Sequence, residues 1–90
     1  MKQGASESKD VADQVKAKKG QAPDGYEGGR EFANDGRGGT TRLPDGVKYR
    51  EYDVNPTVEG QSRGAERIVI GEDGSVWYTD DHYQTFTQIE

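Results

Sequence analysis

The sequence predicts an α+β domain in which one short N-terminal helix packs on an antiparallel sheet of three to four strands. Apolar residues recur at helical spacing near the N-terminus, whereas the second half alternates polar and apolar residues in short runs. Turn-forming residues, chiefly glycine and aspartate, separate these runs. A meander of strands covered by a single helix accounts for all three observations.

The composition allows only one small domain. The chain has 90 residues, of which 29% are hydrophobic, and it contains no cysteine. A domain of this size buries about 60% of its unfolded surface, so there is room for one small core. The lack of cysteine excludes disulfides, zinc ribbons and thiol nucleophiles, and it leaves the redox compartment open. We expect a flexible segment over residues 1–8 and a folded domain over 9–90.

The charge distribution favours a small anion over a long polyanion. The formal net charge is -5, which argues against broad attraction to nucleic acid. Positive residues nevertheless concentrate in one central stretch, and no Lys or Arg follows the last of them: Lys48, Arg50, Arg63 and Arg67. A local basic spot on an acidic body suits one or two phosphates held in a cleft.

The first predicted element is a helix that runs through about Lys18. Ser8 or Asp10 can cap it, and Gly20 can end it. Its apolar residues share one face: Val11, Ala12 and Val15.

Residues 21–46 predict a long loop region. Glycine, proline, aspartate and arginine dominate it, with Pro-Asp-Gly turns at Pro23 and Pro44. A segment this long is often functional when it is not disordered. Its anchors in the core are expected to be Phe32, Leu43 and Tyr26.

The second half predicts the sheet, with strands over 47–54, 66–70 and 75–79 and a last strand around Phe86. Successive side chains of a strand point to opposite faces. If Tyr52 and Val54 face the helix, Glu51 faces away from it. If Ile68 and Ile70 face the helix, Arg67 between Glu66 and Ile68 faces away from it, as Glu51 does. We therefore expect Glu51 and Arg67 on one solvent-exposed face.

Four polar residues form a candidate catalytic set: Glu51, Arg63, Arg67 and His82. A carboxylate, two guanidiniums and an imidazole supply the base, anion clamp and acid for phosphoryl transfer without a metal. Arg63 lies roughly 13 Å from Arg67 along an extended strand at about 3.3 Å per residue, so both can hold one phosphate only if Gly64 bends the chain. Taken singly, each residue is more often a solvated or weakly paired surface group.

Two further sequence features are poor candidates for a metal or phosphate site. Three aspartates near His82 fit no metal-ligand pattern: Asp73, Asp80 and Asp81. The glycines around Gly36 make a poor phosphate cradle, because no strand precedes them and no helix follows. We therefore predict no metal and no cofactor.

The motifs of this chain resemble those of the small bacterial ribonucleases, which include barnase and shorter, acidic guanyl-specific enzymes. The strongest match is the C-terminal run Asp81-His82-Tyr83-Gln84-Thr85-Phe86-Thr87-Gln88-Ile89. Three further segments are similar in order and spacing: Tyr49 to Asn55, Arg63 to Ile68, and Phe32-Ala33-Asn34 with Leu43-Pro44. The resemblance covers nearly everything from the helix onward.

The resemblance implies the microbial ribonuclease fold and an endoribonuclease that cleaves single-stranded RNA to a 2′,3′-cyclic phosphate without metal. Glu51 would take the proton of the ribose 2′-hydroxyl, and His82 would protonate the departing 5′-oxygen. Arg63 and Arg67 would hold the phosphate oxygens. Substrate binding would fall to Phe32, Asn34, Asp35 and Tyr83.

The base-recognition loop departs from the family pattern. In the family, an arginine and a glutamate follow the asparagine, whereas here Asn34 is followed by Asp35-Gly36 and a longer glycine-rich insertion. Asp35 is the nearest carboxylate that could replace the glutamate, so guanine preference stays open. The extra Lys or His that some relatives add to the phosphate site has no counterpart here.

The polar start, with no apolar stretch behind it, predicts neither a secretory signal nor a membrane span. Together with a compact nuclease, it looks similar to toxin domains of larger exported bacterial proteins that are delivered into target cells. The resemblance implies a dedicated inhibitor or immunity protein as partner, and we expect a monomer. Two alternatives remain: an inactive RNA-binding or inhibitor-binding module of the same fold, and a structural domain of a larger surface protein.

Overall fold

The computed structural model describes residues 5–36, 39–55, 58, 60 and 64–90. Its elements in chain order are α1 (Ala5–Ala17), β1 (Gly28–Phe32), β2 (Tyr49–Asp53), β3 (Arg67–Gly71), β4 (Val76–Thr79) and β5 (Thr87–Gln88). The strands form one antiparallel meander in the order β1-β2-β3-β4-β5, and α1 packs on β3 and β4. The predicted α+β class, a helix on an antiparallel sheet, is confirmed. No helix in these residues has the length and apolar character to cross a bilayer.

The helix starts earlier than predicted. It already includes Ala5, and Ser8 lies buried within it, so Ser8 does not cap it. Packing of the apolar face on the sheet outweighs the local preference of serine for a cap. The helix closes where predicted: Gly20 N–H donates to Val15 O at 2.9 Å, and Lys19 has a left-handed φ of 58°.

Strand β1 lies inside the region predicted to be a loop, and it raises the number of strands to five. It pairs with β2, with Arg30 opposite Glu51 and Phe32 opposite Tyr49. The chain approaches β2 so closely that a Cβ at Gly28 would lie 2.8 Å from the Cα of Tyr52. Strand β1 therefore forms because it pairs with β2, which is distant in sequence.

Buried side chains form two clusters, one on each face of the sheet. The first cluster joins the helix to the sheet and consists of Val11, Ala12, Val15, Tyr52, Val54, Ile68 and Val76, with Ile70 and Tyr26 packed against it. The predicted facing of the strands toward the helix is thus confirmed. The second cluster covers the other face and consists of Phe32, Leu43, Tyr49, Val69 and Tyr83. The prediction that this face is simply solvent-exposed is wrong, because the loop residues anchored by Phe32 and Leu43 cover part of it.

Candidate active site

Glu51 and Arg67 share the sheet face that carries the second cluster, as predicted. The β2–β3 register places Asp53 opposite Arg67 and Glu51 opposite Val69. Arg67 is buried, however, and so is Asp53. The site is therefore partly covered, and charges in it interact more strongly than they would in bulk water.

The Arg67 guanidinium is fixed from three directions. Its Nε lies 2.8 Å from Asp53 Oδ1, and its Nη1 donates to Gly64 O at 2.8 Å and to Glu66 O at 2.7 Å. Within the described part of the chain, Nη2 is the nitrogen left to meet a ligand. Gly64 has a φ of 75°, which supplies the predicted bend. Arg63 lies outside the described residues.

Tyr83 connects the predicted catalytic residues. Its hydroxyl lies close enough to Glu51 for the carboxylate to influence its ionisation, and its ring centroid lies 4.9 Å from that of His82. Burial raises the pKa of Tyr83 far above its ordinary value; the negative charge of Glu51 raises it further, and the charge of Arg67 opposes the shift. The phenol therefore stays neutral beside the Glu51 carboxylate.

His82 lies in a turn over residues 80–86, here called the histidine turn, whose backbone is held in an uncommon conformation. His82 has a φ of 57° and Tyr83 a φ of 75°. Asp81 stabilises the turn from within, because its carboxylate accepts hydrogen bonds from Thr79 Oγ1, Gln84 N, Thr85 N and Thr85 Oγ1. These bonds, led by the one from the Thr85 hydroxyl, lower the pKa of Asp81 to about 2.

A backbone bond ties the histidine turn to the arginine segment. His82 N–H donates to Ala65 O at 3.1 Å, two residues before Arg67 in the chain. The His82 side chain itself is exposed. The imidazole is therefore open to solvent, while its backbone is anchored to the segment that leads into Arg67.

The predicted base-binding residues divide into packing and loop-closing roles. Phe32 is buried, with its ring 5.4 Å from that of Tyr83. Both polar atoms of the Asn34 side chain bind one residue: Nδ2 donates to Leu43 O at 3.0 Å, and Oδ1 accepts from Leu43 N at 2.6 Å. Asn34 thus closes the loop that ends at Leu43, while Asp35 is exposed on it.

Thr41, which the sequence did not single out, joins this loop to the histidine turn. Its N–H donates to Tyr83 O at 2.9 Å, and its hydroxyl donates to Gln84 O. Thr41 belongs to the insertion that distinguishes this chain from the family pattern. The insertion thus contacts the histidine turn directly.

A protein-family model described as ribonuclease matches residues 2–90. The chain belongs to the ribonuclease family. Guanyl-specific ribonuclease St of Saccharopolyspora erythraea is 48% identical to it over 46 residues, which are 49% of this chain and 45% of that protein. A ribonuclease of Bacillus intermedius is 41% identical over 68 residues, or 76% of this chain and 40% of that protein. One from Heyndrickxia coagulans is 40% identical over 68 residues, or 76% and 59%.

These matches confirm the resemblance to small bacterial ribonucleases. The chain spans between 40% and 59% of the length of these relatives. Among the residues described in this ribonuclease-family chain, no three His, Asp or Glu side chains converge as ligands for a metal ion.

Sequence reasoning also missed two charged residues of the candidate site. Asp53 follows from strand parity, because it lies two residues after Glu51 on the same face. Arg30 does not follow, because its strand was not predicted. Its Nη2 lies 3.6 Å from Glu51 Oε1, and its side chain is 67% exposed.

Proposed function

We propose that the chain is an endoribonuclease that cleaves single-stranded RNA by transphosphorylation. One observation carries this proposal: Tyr83 contacts both Glu51 and His82 beside the fixed guanidinium of Arg67. A candidate base, a candidate acid and an anion-binding group then lie close together at one site. Membership of the ribonuclease family supports the assignment.

In the first step, the ribose 2′-oxygen attacks the adjacent phosphorus, and the bond from phosphorus to the 5′-oxygen breaks. Glu51 accepts the proton of the 2′-hydroxyl, and the His82 imidazolium donates a proton to the leaving 5′-oxygen. Arg67, together with Arg63, binds the non-bridging oxygens and stabilises the charge that builds on them. The product is a 2′,3′-cyclic phosphate.

In the second step, water hydrolyses the cyclic phosphate and the proton roles reverse. Neutral His82 takes a proton from water, and protonated Glu51 returns its proton to the 2′-oxygen. The Tyr83 hydroxyl keeps the Glu51 carboxylate oriented through both steps. In each step Glu51 and His82 act as the proton acceptor and the proton donor, so this scheme requires no metal ion.

The decisive experiment is cleavage of a defined RNA in the presence of a chelator. We expect the protein to produce 2′,3′-cyclic phosphate ends, and we expect Glu51→Gln and His82→Ala each to lose most of the activity. A substrate with a 2′-deoxyribose at the cleaved position should resist, because it lacks the nucleophile. RNA that stays intact at high protein concentration would instead identify an inactive binding module.

We further propose a preference for guanine, read by the loop between Phe32 and Leu43. The name of the Saccharopolyspora relative supports this preference. The exposed carboxylate of Asp35 is the candidate for reading the guanine edge. Cleavage at all four bases with equal rates, or unchanged preference in Asp35→Ala, would contradict this assignment.

The biological setting we propose is that of a toxin domain within a larger exported protein, acting as a monomer and blocked by a dedicated inhibitor. An active ribonuclease would attack the RNA of the cell that makes it. The producing cell therefore needs a protein that covers the active site. Expression in a host cell should be lethal for the parent sequence and harmless for His82→Ala. Survival of cells that express the active domain without any inhibitor would contradict the toxin role.

A further inference from the structure

Arg30 is a second kind of cation at the candidate active site. It lies opposite Glu51 in the β1–β2 register, and Phe32, two residues further along β1, packs in the second cluster. Alternation along the strand therefore turns Arg30 to the face that bears Glu51 and Arg67.

The contact that Arg30 makes with Glu51 is a weak one. It joins a single pair of atoms, Nη2 and Oε1, at 3.6 Å, and it leaves the Arg30 side chain 67% exposed. An exposed ion pair of this length contributes little, because water screens it and the long side chain loses freedom to form it. Arg30 can therefore exchange this carboxylate for another anion at small cost.

Arg67 differs from Arg30 in each of these respects. Its side chain is 10% exposed, and Asp53 and two backbone carbonyls hold it. Arg67 can therefore bind an anion only at one fixed position in the site. Arg30, at the open rim and on the neighbouring strand, suits an anion that arrives from solution and lies further out.

We propose that Arg30 binds a phosphate of the RNA chain next to the scissile one. This inference rests on the proposed ribonuclease function. When RNA enters, the guanidinium leaves Glu51 Oε1 and donates to the oxygens of the neighbouring phosphate, a geometry that guanidinium matches well. Arg30 thereby makes the enzyme prefer polynucleotide to dinucleotide.

The first test measures binding without cleavage. In a His82→Ala background, the affinity for a fluorescein-labelled single-stranded RNA is measured at several salt concentrations, with and without Arg30→Gln. Loss of one phosphate contact should reduce the slope of log K against log salt by about 0.7. Lys9→Gln is the matched control, since Lys9 is an exposed lysine on α1 that also pairs with carboxylates. Equal slopes for the Arg30 and Lys9 variants would overturn the proposal.

The second test separates the two phosphates. A dinucleoside monophosphate contains only the scissile phosphate, whereas an oligonucleotide contains its neighbours too. We expect Arg30→Gln to lower kcat/KM for the oligonucleotide roughly three- to tenfold more than it lowers kcat/KM for the dinucleotide. Arg30→Lys should restore part of the oligonucleotide affinity.

An equal loss on both substrates would show that Arg30 acts on Glu51 or on the scissile phosphate, and it would overturn the proposal. Failure of the ribonuclease function itself has a different signature. In that case the parent protein cuts neither substrate, or Glu51→Gln and His82→Ala cut both as well as the parent does.

Discussion

A buried carboxylate, Asp53, balances the buried charge of Arg67. Asp53 is 2% exposed and lies 2.8 Å from Arg67 Nε, so the pair is shielded from water. Removing one member of a buried pair leaves the other charge uncompensated, which costs more than the pair contributes when intact. Asp53 therefore matters to the site through the guanidinium that it holds in place.

We expect Asp53→Asn to lower the free energy of unfolding by about 3 kcal/mol. Asp45→Asn is the control, because Asp45 pairs with Arg42 at 2.7 Å on the surface, where its loss should cost less than about 1 kcal/mol. Urea unfolding of the two variants measures both values. Similar losses in the two variants would show that burial does not strengthen the Asp53 pair.

Asp81 makes part of the stability dependent on pH. Its hydrogen bonds lower its pKa from 3.8 to about 2, so the folded state favours the ionised carboxylate. The stabilisation is complete above the ordinary value and is lost as the pH falls toward about 2. The histidine turn should therefore loosen in acid.

The difference in unfolding free energy between Asp81→Asn and the parent should shrink as the pH falls. We expect the variant to be less stable than the parent near neutrality and to approach the parent between about pH 4 and pH 2. Asp24→Asn, in the turn after Pro23, provides a control with the same change of charge. A gap between Asp81→Asn and the parent that stays constant from neutral pH to pH 2 would contradict this account.

At the scale of elements, the loop and the histidine turn act together through Thr41. Replacing Thr41 by Val removes the hydroxyl bond to Gln84 O but keeps the backbone bond to Tyr83 O. We expect kcat for RNA cleavage to fall roughly tenfold, because small displacements of a catalytic group are costly, with a stability loss of about 1 kcal/mol.

Two variants test whether the Thr41 hydroxyl is the cause. Thr41→Ser keeps the hydroxyl and should keep most of kcat. Thr87→Val makes the same substitution at an exposed position on β5 and should leave kcat unchanged. A Thr41→Val enzyme that behaves like Thr87→Val would show that the turn does not need the loop.

The sequence predicts some of these elements and not others, for physical reasons. The helix and strands β2 to β4 carry their own periodic pattern, since residues such as Val15 and Ile68 repeat with it. Strand β1 carries none: it has two glycines and one apolar residue, Phe32, and both glycine and charged residues are poor strand formers. Only its pairing with β2 makes it a strand.

The same reasons explain what the sequence could predict of the site. Parity places Glu51 and Arg67 on one face from local pattern alone. The contacts of Arg30 and Thr41 depend on which distant segments become neighbours, so no local pattern indicates them. The burial of Arg67 was missed because the second cluster includes Leu43 and Tyr83, which lie far from it in sequence.

At the scale of the whole molecule, the sheet lies between two buried clusters, and only one of them is next to the candidate active site. The first cluster lies between the helix and the sheet, whereas the second lies on the face with Glu51 and supports Tyr83. Both are needed to fold 90 residues with little apolar content. Only the second should influence catalysis, because close packing transmits small displacements to the residues that it supports.

Val69→Ala and Val76→Ala test this division with the same change of volume. Both valines are fully buried, Val69 in the second cluster and Val76 in the first. Each variant should lose about 2 to 3 kcal/mol of unfolding free energy. At temperatures where both are folded, we expect kcat for RNA cleavage to fall several-fold in Val69→Ala alone, because Val69 packs with Tyr83. Equal kcat values in two equally destabilised variants would show that the second cluster serves stability alone.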